Sequence, residues 1–122
     1  MAKRILVVED EPDIMYISTV RLNHLGYDTI PAADAEAAIA YLKNDSCDLI
    51  LLDLLLPGMK GEELCKKLKT DDKFKNIPII IFTANILCSN LSETIKEIGA
   101  DDCIMKPFEP QELLGKIKKF IG

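Results

Sequence analysis

The chain is short of positive charge, nearly without histidine, and free of long apolar runs. Its 15 Lys and Arg stand against 20 Asp and Glu, a net charge of -5 at pH 7. That balance argues against a nucleic-acid partner, because contact with a phosphate backbone draws on clustered cations. The basic residues between Lys60 and Lys75 are interleaved with Glu62, Glu63, Asp71 and Asp72 and read as a solvated helix face. The one histidine, His24, falls at the end of the first predicted helix and reads as a solvated helix-end residue rather than a phosphohistidine relay. Four cysteines, Cys47, Cys65, Cys88 and Cys103, show no C-x-x-C spacing and no nearby histidine. A zinc site and a disulfide framework are therefore disfavoured, and reduced, mostly buried cytosolic thiols are expected. After Lys3 and Arg4 only four apolar residues precede Glu9, too few for a signal peptide or a membrane span. A soluble, cytoplasmic protein is expected. At 122 residues the chain fits one domain, residues 1–122, with no output domain. Folding at that size buries roughly two-thirds of the unfolded chain's surface, so one core suffices.

What is present is an alternation of strands and helices. Ile5 to Val8 is a β-branched apolar run, and Pro12 opens a helix to about Leu25, ended by Gly26. Tyr27 to Pro31 is a brief extended piece. Asp34 then introduces Ala35, Ala38, Ile39 and Leu42 at helical spacing, to near Asn44. Asp48 to Asp53 is almost wholly apolar, as a strand covered on both faces should be. Pro57, Gly58 and Gly61 mark a loop before a helix from Glu62 to Lys69. Pro78 to Phe82 is a fourth strand, ending at Thr83. Leu87, Leu91, Ile95 and Ile98 predict a fourth helix, closed by Gly99. Cys103 to Met105 is a fifth strand ended by Lys106-Pro107, and Pro110 opens a helix with Leu113, Leu114, Ile117, Phe120 and Ile121 on one side. Five such β-α units imply an α/β fold, a mostly parallel sheet with helices on both faces and ligands bound beyond the carboxyl ends of the strands.

At those ends the chemistry collects. Glu9, Asp10 and Glu11 follow the first strand, Asp53 the third, Thr83 the fourth and Lys106 the fifth. Like charges about 4 Å apart repel by roughly 4 kcal/mol at an effective dielectric near 20, so three acids at one edge want a divalent cation. Taken singly, Asp53 reads as a strand-end turn residue, Thr83 as a β-branched terminus, and Lys106 as a solvated charge. Taken together they read as a site.

The segments Ile5-Leu-Val-Val-Glu-Asp-Glu-Pro12, Leu51-Leu-Asp-Leu-Leu-Leu-Pro-Gly58, Phe82-Thr-Ala84 and Lys106-Pro-Phe108 resemble the receiver domain of two-component response regulators, and the likeness spans essentially the whole chain. It implies a flavodoxin-like (βα)5 three-layer sandwich with strand order 2-1-3-4-5. It implies Asp53 as acceptor of a phosphoryl group from a histidine kinase or histidine phosphotransfer protein. Mg2+, with Mn2+ as an alternative, would be held by Asp10 and Asp53, by Glu9 through water, and by the backbone carbonyl of Leu55. Lys106 would pair with Asp53 and then with a phosphoryl oxygen, and Thr83 would donate its hydroxyl to another, moving inward. The likeness also implies a cis bond between Lys106 and Pro107, which turns the lysine inward. The protein so implied is a signalling switch rather than an enzyme. It is a monomer or a weak phosphorylation-dependent dimer acting on an unidentified downstream protein, either alone or as the receiver piece of a longer regulator or hybrid kinase.

Three positions depart from the pattern or tune it. Cys103 stands where receivers usually carry Tyr or Phe, so a weak response is expected on the face made by the fourth helix, fifth strand and fifth helix. Leu55 and Asn85 would flank the phosphoryl group. An apolar Leu55 cannot orient an attacking water, so a long-lived phospho-aspartate is expected. Other functions fit less well. A flavodoxin-type electron carrier needs hydroxyls and backbone N–H groups for a flavin phosphate where Glu9-Asp10-Glu11 stand. An aspartyl phosphatase needs a second aspartate where Leu55 stands, and a pseudo-receiver would lack a site residue.

Overall fold

The computed structural model describes residues 2–54, 56, 58–84, 96–106 and 109–121, with side chains at all of these but 83, 84, 105, 106 and 110. Five parallel strands form one sheet in the order β2-β1-β3-β4-β5. They are β1 (Arg4–Val8), β2 (Asp28–Ala32), β3 (Leu49–Leu52), β4 (Ile79–Ala84) and β5 (Asp102–Lys106). The described helices are α1 (Pro12–His24), α2 (Ala35–Asn44), α3 (Gly61–Lys69) and a C-terminal helix (Pro110–Ile121), and residues 96–98 are also helical. The flavodoxin-like order expected from the family resemblance is the order observed.

The three central strands are apolar on both faces because both faces are covered. Leu6, Val8, Ile50, Leu52, Ile79 and Ile81 point to one side and pack with Ala35, Ala38 and Leu42 of α2, Leu64, Cys65 and Leu68 of α3, and Ile98. Their alternates Ile5, Val7, Leu49, Leu51, Ile80 and Phe82 point to the other side, with Leu22 of α1 and Leu113 and Ile117 of the C-terminal helix. A two-residue period thus splits each run between two cores. Strand β2 is an edge, and Pro31 is tolerated there because an edge strand can spare an N–H.

Local signals set several helix ends. Pro12 occupies the first turn of α1, and Gly26 leaves that helix with φ of 98°. The Asp34 side chain accepts the Ala37 N–H at 2.8 Å, a cap of the kind that contributes about 1 kcal/mol. Several boundaries differ from expectation. Strand β2 starts at Asp28, whose N–H donates to Lys3 O at 2.9 Å, and the preceding Tyr27 is instead buried against the α1 core. Strands β4 and β5 run on through Thr83 and Lys106, because backbone pairing of Thr83 with Met105 and Ala84 with Lys106 continues past the apolar side chains. Gly61 is not a loop residue but the first residue of α3.

The candidate site at the carboxyl edge

The pairing of β1 extends one residue past the strand ends and carries the acids with it. The Glu9 N–H donates to Ala32 O at 3.0 Å, and the Asp53 N–H donates to Val8 O at 3.0 Å. Glu9 and Asp53 are thereby pinned against the sheet at 2% and 4% exposure, while Asp10 stands in solvent. One carboxylate oxygen from each of Glu9, Asp10 and Asp53 lies within 4.8 Å of the others. Glu9 also bends the backbone around itself, its Oε1 accepting the Glu11 N–H at 3.0 Å.

Three carboxylates this close, two of them buried, repel by roughly 3.5 kcal/mol or more per pair at an effective dielectric near 20. An all-oxygen donor set of high negative charge suits a hard divalent cation such as Mg2+, which takes oxygen ligands and keeps several waters. Exposed Asp10 leaves one side of the cluster open for those waters and for a second reactant.

The other expected site residues fall as follows. In the sheet, Val8, Leu52, Ile81 and Cys103 share one register row. Thr83 lies two residues beyond that row on β4, and Lys106 three beyond it on β5, so both backbones lie at the carboxyl edge where Asp53 stands. Cys103 is half-buried and packs on the α2 and α3 side of the sheet. Leu55, Asn85 and Pro107 lie outside the described residues. His24 is exposed in the last turn of α1, as expected of a solvated residue.

One residue at the site went unread in the sequence. The Gly61 N–H donates to Leu54 O at 3.2 Å, and a Cβ built on Gly61 would stand 2.2 Å from Asp53 O and 2.7 Å from Leu54 Cα. Helix α3 therefore begins in direct contact with the backbone of the acidic residue. No sequence signal announces this, because a glycine after Pro57-Gly58 looks like loop punctuation.

The opposite edge of the sheet is tied by different groups. The Arg4 Nη1 donates to Asp45 Oδ1 at 2.7 Å, and the Arg4 N–H to Asp48 Oδ2 at 2.8 Å. Asp45 raises the pKa of Arg4, and the Ser46 backbone N–H is the main cause lowering that of Asp45. A shallow cleft of about 350 Å³ lies there, lined by Ala2, Lys3, Arg4, Ser46, Cys47 and Asp48. Burial pushes the thiols of Cys47 and Cys65 up to about 12 and about 11 respectively. Neither forms a disulfide, and neither does Cys103; a raised pKa keeps the thiols of Cys47 and Cys65 protonated at neutral pH. Among the described residues no helix is long and apolar enough to cross a membrane.

A family model described as the response regulator receiver domain matches residues 5–118. The chain belongs to that family. Among curated proteins, this receiver domain is 42% identical over 118 residues to the phosphate regulon transcriptional regulatory protein PhoB of Pseudomonas aeruginosa, covering 97% of this chain and 51% of that one. It spans about half the length of the curated relatives it matches first. Among solved structures it is similar to a CheY-like response regulator receiver domain protein from Methanospirillum hungatei, with TM-score 0.87 and 35% identity, covering 98% of this chain and 93% of that one. It is also similar to the receiver domain of the sensor histidine kinase PA1611 from Pseudomonas aeruginosa, which has a magnesium ion coordinated in its active site cleft. There the TM-score is 0.90 and the identity 30%, covering 100% of this chain and 99% of that one.

Proposed function

We propose that this receiver domain is a phosphorylation-dependent switch in which Asp53 accepts a phosphoryl group from a phosphohistidine on a histidine kinase or histidine phosphotransfer protein. The observation that carries the reading is the convergence of Glu9, Asp10 and Asp53 within 4.8 Å at one sheet edge, with Asp53 held at 4% exposure. A carboxylate is a competent nucleophile toward phosphorus. An oxygen of Asp53 forms the new bond to phosphorus as the P–N bond to the donor imidazole breaks. Water later hydrolyses the acyl phosphate, releasing inorganic phosphate and restoring the carboxylate.

Phosphoryl transfer needs positioning and charge neutralisation more than proton transfer. Glu9, Asp10, Asp53 and the Leu55 carbonyl would hold the divalent cation, Mg2+ or Mn2+, which when bound supplies neutralisation of the phosphoryl oxygens. The backbone N–H bond to Val8 O and the pairing of Glu9 with Ala32 hold Asp53 and Glu9 in place, so little reorganisation is needed at transfer. Thr83 and Lys106, at the same edge by backbone register, would take the remaining phosphoryl oxygens with a hydroxyl and an ammonium. The chain assists its own modification and turns over no outside substrate. Its message passes to a downstream protein. That output is reached either in trans or through further sequence.

The test is intact mass after incubation with acetyl phosphate and Mg2+, beside an Asp53→Asn variant and a sample in excess EDTA. A gain of one phosphoryl group in the metal-replete wild type alone is expected. Its decay reports the lifetime that Leu55 is expected to lengthen. Labelling of Asp53→Asn at the wild-type level would move the acceptor elsewhere.

A further inference from the structure

We propose that Gly61 is a positioning residue for Asp53, and that the start of α3 is the brace that sets where the acceptor carboxylate stands. The inference rests on the reading of Asp53 as acceptor and adds the element that holds it. Its ground is the space left at residue 61. A Cβ there would meet Asp53 O at 2.2 Å, Leu54 Cα at 2.7 Å and Asp53 C at 3.0 Å, all of them backbone atoms that cannot rotate aside.

The demand is for room and not for an unusual conformation. The φ of Gly61 is not positive, unlike that of Gly26, Gly58 and Gly99, so alanine suits its backbone and is the better helix former. Helix α3 cannot readily retreat from an added methyl group. Leu64, Cys65 and Leu68 bury it in the core at no more than 3% exposure. At its far end Lys69 Nζ donates to Ile77 O at 2.9 Å and to Asp101 Oδ2 at 2.7 Å. On the other side, the Asp53 N–H makes the last bond of that strand to the sheet, to Val8 O, and the Asp53 carbonyl and Leu54 lie beyond it. The segment that yields is therefore Asp53-Leu54, and a carboxylate that must stand within 4.8 Å of two others moves with it.

The experiment compares wild type, Gly61→Ala and Gly115→Ala, measuring the rate of labelling by acetyl phosphate across a Mg2+ series. Gly115, in the C-terminal helix, has open space where its Cβ would go and serves as the control. For Gly61→Ala the Mg2+ concentration at half-maximal rate should rise at least tenfold, with Gly115→Ala matching wild type. A variant that is only less stable would lose labelled fraction without moving that midpoint. Wild-type midpoint and rate in a folded Gly61→Ala would overturn the proposal. Should Gly61→Ala fail to fold, amide spectra of the wild type decide: the Gly61 resonance should shift with that of Asp53 on adding Mg2+. A stationary Gly61 beside a shifted Asp53 would overturn it. A wild type that neither binds Mg2+ nor takes the label would overturn the acceptor reading itself, a distinct failure.

Discussion

At the scale of single residues, position in the fold decides what each reactive group can do. Asp53 and Glu9 were legible in the sequence because an acid directly after an apolar strand has one place to go, the carboxyl edge of the sheet. Gly61 was not, because its role is a close approach to Asp53 O, eight residues back in the chain, that only the tertiary fold creates. The cysteines show the same dependence. Burial holds the Cys47 thiol up at about 12, so the folded chain keeps a proton that the unfolded chain sheds near pH 9. With the folded pKa above the unfolded one, this contribution to stability is complete below about pH 9 and is lost as pH rises toward about 12. Burial raises Tyr27 and Tyr41 as well, with the same sign. Stability measured by urea unfolding should therefore fall between pH 9 and 11, less steeply in Cys47→Ala. At pH 8 iodoacetamide should leave Cys47 and Cys65 unmodified in the folded protein and alkylate both in denaturant.

Among the elements, α3 shows most clearly what pattern reading finds and misses. Its alternation of acids and lysines reads as a solvated face, and Lys66 and Lys67 are exposed. Lys69 is the exception, with a side chain only 15% exposed that donates to Ile77 O and to Asp101 Oδ2, while Asp101 also accepts the Ile79 N–H at 2.8 Å. This one lysine ties the end of α3 to the start of β4. Lys69→Met should lose about 1–3 kcal/mol in urea unfolding, the range for breaking a partly buried charged hydrogen-bond network, while Lys67→Met should stay within about 0.5 kcal/mol. Helix α1 runs the other way. Its outward residues Tyr16, Ile17 and Val20 are exposed at 70%, 47% and 46%, so the apolar stripe that helix reading relies on is blurred. It was found from Pro12 and Gly26, its end signals, rather than from its period.

For the whole molecule, a cation held by the acidic cluster would add to stability. A ligand at a hundred times its dissociation constant stabilises the state that binds it by about 2.7 kcal/mol. Thermal unfolding followed by circular dichroism should show Tm rising by several degrees with Mg2+ at that excess and returning in EDTA. Asp10→Asn removes one exposed charge of the cluster and should need a higher Mg2+ concentration for the same shift. An unchanged Tm at any Mg2+ concentration would show that the three carboxylates hold no cation.

What the sequence by itself determined is the kind of molecule: the alternation of strands and helices, two-sided burial of the central strands, and the strand ends that carry Glu9, Asp10, Asp53, Thr83 and Lys106. These are local properties, set by side-chain period and by proline, glycine and capping residues, and they survive without knowledge of any partner. The tertiary structure alone decided what depends on two distant segments meeting. It set the distance among three carboxylates, the continuation of β4 and β5 through Thr83 and Lys106, and the fastening of Lys69 to Asp101. It also turned Gly61 from a loop glycine into the residue on which Asp53 rests, because van der Waals contact between backbones has no signature in a linear pattern.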